Sequence, residues 1–180
     1  MPTPIPVDLL PYSADWVALA EEEAGRLQAA LGDVLIAVHH IGSTAIPGIM
    51  AKPVVDLMPE VTSFTALDAM EDRIATLGYV WWGEYGIPGR RYCTLSDPET
   101  GKRLVQLHFF ERGSPHLDRH LAFRDHLRAN PDKARAYEAE KRRARDLHPD
   151  DSHAYSEEKA AWVKTVEAEA LEVWKARGGG

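Results

Sequence analysis

With 180 residues, one cysteine and a formal net charge of −7 from 21 Lys plus Arg against 28 Asp plus Glu, the chain argues against several classes of protein. It has the size of one domain, able to withdraw roughly 70% of its unfolded surface from water, and the single Cys93 allows no internal disulfide. No charged leader precedes MPTPIPVDLL and no apolar run reaches the roughly 20 residues of a membrane span, so a cytoplasmic setting away from the membrane is expected. Sequence-independent nucleic-acid binding draws on a basic surface, so polymeric DNA or RNA is not expected. A small phosphorylated ligand is compatible with an acidic chain, because it needs positive charge only at its site.

Pro2, Pro4, Pro6 and Pro11 predict an extended lead-in over residues 1–12. Ser13 or Asp15 can then cap a helix to about residue 31, with Trp16, Leu19, Ala20, Glu23, Leu27, Ala30 and Leu31 on its stripe. Residues 34–41 read as a buried strand, 42–52 as a loop and 53–61 as a second strand. A helix over 63–77 ends at Gly78, and further strands are predicted at 79–82, 91–96 and 102–110. The last two are joined by the turn residues Asp97-Pro98-Glu99-Thr100-Gly101.

The rest of the chain reads as helices over 115–129, 131–147 and 156–176, broken at Asn130-Pro131 and His148-Pro149 because the residue before proline avoids the helical basin. Residues 178–180, all glycine, predict a disordered tail. The whole is one α+β domain over 1–180: a small mixed β-sheet with an N-terminal helix and a C-terminal helical layer.

Gly42 and Ser43 follow the first strand. A glycine lets backbone approach a ligand closely, and the amides of the following turn, with the Ser43 and Thr44 hydroxyls, suit a phosphate; the alternative is a plain turn with a cap. Asp56 stands alone in the apolar run Val54-Val55-Asp56-Leu57-Met58, where a carboxylate needs solvent, a basic partner such as Lys52 or an arginine, or a cation. Alternation aims Met58 to the same side, where two-metal chemistry wants a second acid and a thioether is no ligand for Mg²⁺.

Gln106 and His108 share a face of the 102–110 strand. His40, Asp56 and His108 would together make a ligand set suited to Zn²⁺, Mn²⁺ or Fe²⁺; the alternative is histidines hydrogen-bonded to Asp56. Arg90 and Arg91 follow the turn Gly86-Ile87-Pro88-Gly89 and read either as an anion clamp or as a solvated basic loop. Arg124 emerges from a stripe of Leu117, His120, Phe123 and Leu127 and needs an anionic partner, Asp56 or a phosphate. Asp125 and Arg128 read as local partners. Tyr137 and Lys141, then Tyr155 and Lys159, repeat a four-residue spacing that projects a hydroxyl and an ammonium together; surface lysines beside packed tyrosines are the equal alternative. The run Lys141-Arg142-Arg143-Ala144-Arg145 reads as a solvated face balanced by Glu138 and Glu140, and Cys93 as a packed side chain.

The run His40-Ile41-Gly42-Ser43-Thr44, then Pro47-Gly48, Ala51-Lys52-Pro53 and Asp56, resembles the signature of the GrpB family of nucleotidyltransferase-fold proteins. The likeness continues in Gly86-Ile87-Pro88-Gly89-Arg90-Arg91-Tyr92, Leu107-His108, Phe123-Arg124-Asp125-His126-Leu127-Arg128, Tyr137, Lys141, Tyr155 and Lys159. It implies the fold of the DNA polymerase beta-type superfamily, in which Gly-Ser binds phosphate and strand acids hold Mg²⁺. Related domains are fused to dephospho-coenzyme A kinase, which implies a folding or partner role.

The expectation is therefore a protein that binds a small phosphorylated ligand, a nucleotide first. Gly42, Ser43 and Thr44 would sit on its phosphates, Lys52, Arg90, Arg91, Arg124, Lys141, Tyr155 and Lys159 would line its site, and Asp56 would be the catalytic acid on a divalent metal (Mg, Mn or Zn) if nucleotidyl transfer occurs. A non-catalytic nucleotide sensor or a folding and assembly partner for another protein is the alternative. A hydrolase built on a His40, Asp56 and His108 metal site is a third.

Overall fold

A computed structural model describes residues 3–179 and divides the chain into two compact units. One comprises Ser13–Ile41 and Val54–Leu117; the other comprises Met1–Tyr12, Gly42–Pro53 and Asp118–Gly180. The architecture is the expected α+β, with one five-stranded mixed sheet and six α-helices among the described residues.

The first unit holds the sheet. Strands β1 (Leu35–Ile41), β2 (Val55–Val61), β3 (Val80–Trp81), β4 (Arg91–Ser96) and β5 (Arg103–Glu111) lie in the order β1-β2-β5-β4-β3, and only β2 and β5 run parallel. In register, Leu57, Leu107 and Cys93 form a row whose members are at most 1% exposed, with Val55 and Val105 in the next row. Helix α1 (Asp15–Leu31) packs on β1 and β2 through Trp16, Ala20, Leu27 and Leu31, the stripe read from the sequence. Its one buried acid, Glu23, accepts from the Tyr79 hydroxyl at 2.7 Å and from Arg26 at 2.6 Å. Burial, then that hydrogen bond, pushes the Tyr79 hydroxyl far up and keeps it a donor.

The helix predicted over 63–77 is two short ones, α2 (Phe64–Asp68) and α3 (Glu71–Thr76). Ser63 caps the first by accepting from the Ala66 amide at 3.2 Å. Met70, at φ −111° and ψ 13°, then leaves the helical basin, its amide bonded back to the Leu67 carbonyl. β3 is shorter than predicted, and Val34 belongs to a 3₁₀ turn before β1.

The second unit is helical. It contains residues 118–129 of α4 (Pro115–Ala129), all of α5 (Pro131–Leu147) and α6 (Ser152–Ala176), the 42–53 loop and the N-terminal segment. α6 starts four residues before the predicted position, because the Asp151 carboxylate accepts from the amides of His153 and Ala154 at 2.9 and 3.0 Å. Ile46 and Ile49 of the loop join Phe123, Leu127, Ala134, Tyr137 and Val166 in one core, and Val7 and Leu9 join Ala144 and Tyr155 in another.

In the lead-in, residues 3–12 contain no helix, and Leu10 forms an isolated bridge; residues 1 and 2 lie outside the described range. The lead-in is anchored by Val7 N–H to the Pro149 carbonyl (2.7 Å) and by reciprocal amide bonds between Leu10 and Ala51. Gly178 and Gly179 donate to the Lys175 and Trp174 carbonyls, and Gly180 lies outside the described residues. Among the described residues no helix is long and apolar enough to cross a membrane.

Candidate functional site

In the helical unit the site begins at Gly42, whose φ of 73° and ψ of −171° fall in a region open essentially to glycine alone. One 3₁₀ turn, Ser43–Ala45, follows; Thr44 and Ala45 are buried and the Ser43 hydroxyl donates to the Tyr137 oxygen at 3.3 Å. Arg128 Nε donates to the Ala45 carbonyl at 2.8 Å. Further along the loop α5 grips Met50 from both sides: its amide donates to Glu138 Oε2 at 2.9 Å and its carbonyl accepts from Lys141 Nζ. Glu138 and Lys141 are three apart on α5 and so share a face. The grip, with the Ala51 bridge, fixes where Lys52 leaves the backbone.

Three ammonium groups then gather on two aromatic rings. Lys141 Nζ lies 4.8 Å from the Tyr137 centroid, Lys52 Nζ 5.2 Å from that of Tyr155, and Lys159 Nζ 4.6 Å from Tyr155 and 5.7 Å from Tyr137. Ring faces attract cations, and Trp162, stacked on Tyr137 at 5.2 Å, holds that ring in place together with Phe123 at its edge. Lys141 is 1% exposed. Burial first, then the Lys159 charge, lowers its pKa to about 7; Glu138 opposes the shift and Lys52 adds to it. Tyr155 is equally buried, and burial raises its hydroxyl against the pull of Lys159. The run 141–145 is therefore not one solvated face. Arg142 and Arg143 do pair outward with Glu138, Glu140 and Glu158, but Lys141 and Ala144 point inward. Arg124 donates to the neighbouring Asp125 at 2.8 Å.

In the sheet unit Asp56 accepts a hydrogen bond from His108. The distance from Asp56 Oδ1 to His108 Nε2 is 3.0 Å, and Arg90 approaches the other ring nitrogen, Nδ1, at 3.3 Å. A guanidinium can only donate, so Nδ1 is the acceptor and Nε2 carries the proton given to Asp56. Arg90 is 6% exposed, lies 4.8 Å from the Tyr92 centroid and also donates to the carbonyls of Glu84 (3.2 Å) and Tyr85 (2.7 Å). It lies buried beside Asp56 and is not part of a solvated basic loop. Arg91 is gripped bidentately by Asp68, both bonds 2.9 Å, with its guanidinium 4.3 Å from the Phe64 centroid. Two donors of that guanidinium are thus taken up by Asp68.

Register separates the histidines. Ile41 pairs with Asp56 and His40 with Leu57, so alternation places His40 on the sheet face opposite Asp56 and His108. Among the described residues no three His, Cys, Asp or Glu side chains form a group able to hold a metal ion. The His40, Asp56 and His108 set is thus not assembled. Met58 is fully buried two residues beyond Asp56, and Gln106 pairs directly with Asp56 on β5, so no second acid stands at either position. Cys93 is buried and its thiol is pushed up, which suits a packed side chain.

Several contributors escaped the sequence reading. Met50 acts through its backbone, which no side-chain motif announces, and Trp162 by stacking across helices. Tyr85, at φ 45°, is the only non-glycine residue with positive φ among those described. It sits in a turn closed by the Ile87 amide on the Glu84 carbonyl, offers its own carbonyl to Arg90 and stacks on Tyr92 at 5.2 Å. The Tyr-Gly pair inside a predicted loop was the available signal.

Fold and side chains define an α+β protein with a five-stranded mixed sheet and a lysine–tyrosine cluster among its C-terminal helices. A family model described as GrpB protein matches residues 6–169. The chain belongs to the GrpB family. It is 40% identical over 169 residues to the UPF0157 protein YqkA of Bacillus subtilis, covering 94% of this chain but 48% of that one, so it spans about half the relative's length. It is 30% identical over 162 residues to the glutamate-rich protein GrpB of Alkalihalophilus pseudofirmus, covering 89% of this chain and 93% of that protein. The crystal structure of conserved protein GrpB from Enterococcus faecalis superimposes with a TM-score of 0.86 at 35% identity, covering 93% and 99% of the two chains.

Proposed function

We propose that the protein binds a small phosphorylated ligand, with a nucleotide as the ligand class that the family resemblance favours, and that its phosphates sit on Lys52, Lys141 and Lys159. The observation that carries this reading is the gathering of three ammonium groups, from the loop, α5 and α6, on the rings of Tyr137 and Tyr155. Bringing like charges together costs free energy in the empty protein, and an anion offsets it. The Gly42 turn supports the same reading by placing Ser43 on Tyr137. Binding without turnover is favoured over nucleotidyl transfer. Asp56 is one carboxylate where two-metal chemistry uses more, and Met58 and Gln106 supply no replacement.

The test is a thermal-melt panel of nucleotides and simple phosphates with Mg²⁺, Mn²⁺ or Zn²⁺, run on wild type, Lys159→Met and Asp56→Ala, followed by turnover assays on any hit. A ligand at 100 times its Kd raises stability by about 2.7 kcal/mol, well within reach of a melt. The expected result is a shift with a phosphorylated compound that Lys159→Met abolishes, with no product formed. Turnover lost in Asp56→Ala would make the protein an enzyme. No shift with any phosphate would overturn the reading and leave the folding-partner alternative.

A further inference from the structure

Lys141 carries more than a share of positive charge. Its nitrogen is buried, and the groups around it come from three segments: Glu138 and Tyr137 on its own helix, the Met50 carbonyl and Lys52 on the loop, and Lys159 on α6. Glu138, the acid that opposes the shift, already receives the Met50 amide and the Arg142 fork. Burial and two ammonium neighbours disfavour the charged form of Lys141, and a neutral amine still donates to the Met50 carbonyl. The lowered pKa, about 7, agrees with this geometry. An anion seated against Lys52 and Lys159 cancels the repulsion and restores the reason for Lys141 to be charged.

We propose that the cluster takes up its anion together with one proton, received by the Lys141 amine, and therefore selects a doubly charged phosphate-type group over a singly charged one. The proposal rests on the phosphate-binding reading and adds a stoichiometry to it. Sulfate is the probe, because it keeps two charges throughout the neutral range and cannot itself release or absorb the proton. Retention is measured by equilibrium dialysis with radiolabelled sulfate at constant ionic strength, and proton uptake by pH-stat in unbuffered solution.

The expected result is uptake approaching about 0.8 proton per sulfate bound at pH 7.5, and an affinity about 20-fold weaker at pH 8.5 than at pH 6.5. Methanesulfonate, a monoanion, should be held more weakly than sulfate. Lys141→Arg, whose guanidinium stays charged, should take up no proton and lose the pH dependence. Sulfate bound by wild type without uptake and with flat pH dependence would overturn the proton linkage while leaving the anion site standing. No sulfate retained at any of these pH values would overturn the anion site and the linkage together.

Discussion

Replacing Lys141 by methionine should flatten the rise of stability with pH. In the native state this group has a pKa of about 7 against an ordinary 10.5, with burial the leading cause. Between those values the unfolded chain keeps a proton that the native state has lost, so the unfolded state binds more protons and stability rises with pH. The slope approaches about 1.4 kcal/mol per pH unit once the native amine is neutral. Starting from a half-neutral native state at pH 7, the gain by pH 9 is about 2 kcal/mol. The assay is urea unfolding of wild type and Lys141→Met at pH 7, 8 and 9 at fixed ionic strength. Methionine keeps the bulk but withdraws the donor from the Met50 carbonyl, a roughly pH-independent cost of about 1 kcal/mol. The signature is therefore the difference between the slopes: wild type should gain about 2 kcal/mol more than the variant over this window. Parallel profiles would mean instead that Lys141 is solvated or ion-paired like any surface lysine.

Gly42→Ala forces a methyl-bearing residue into φ 73°, ψ −171° and should lower stability by about 1–3 kcal/mol in denaturant unfolding; an unchanged midpoint would mean that the turn is not held in this conformation. Glu23→Ala leaves the buried Tyr79 hydroxyl without its acceptor and Arg26 without its carboxylate, for a loss of about 2–3 kcal/mol, and a neutral result would show that water replaces both contacts. Arg91→Lys surrenders the fork with Asp68 and the contact with Phe64, costing about 1 kcal/mol, while sulfate retention should equal that of wild type. A drop in retention there would return Arg91 to the ligand site.

Elements whose cause is local were legible in the sequence. The α1 stripe, the apolar runs of β1, β2 and β5, and the proline breaks at 130–131 and 148–149 all appear where composition and spacing put them. The early start of α6 was legible too, since Asp151 is an ordinary cap, but the polar run 150–152 reads equally well as loop. The break inside 63–77 was not, because Ala69 and Met70 carry no breaker signal.

At the site, the four-residue spacing of Tyr137 with Lys141 and of Tyr155 with Lys159 pointed to paired hydroxyl and ammonium groups. What put both pairs around shared rings is helix packing, which no local pattern encodes. Alternation gave each strand two faces, but only the register Ile41 with Asp56 decides that His40 takes the wrong one. Arg91 looked available because its partner, Asp68, lies 23 residues away. The burial of Arg90 was not legible, because one of the carbonyls it reaches belongs to Tyr85, in a turn whose positive φ no sequence pattern announced.

The most direct test of the central claim, that Lys52, Lys141 and Lys159 are the seat of a phosphate, is a crystal structure grown with a nucleoside triphosphate bearing sulfur on its terminal phosphate. The sulfur's anomalous signal marks that group without reference to the rest of the map. The expected peak lies within contact distance of the Lys52 and Lys159 ammonium groups. A protein saturated with this compound in solution whose crystals place the sulfur away from these lysines would contradict it.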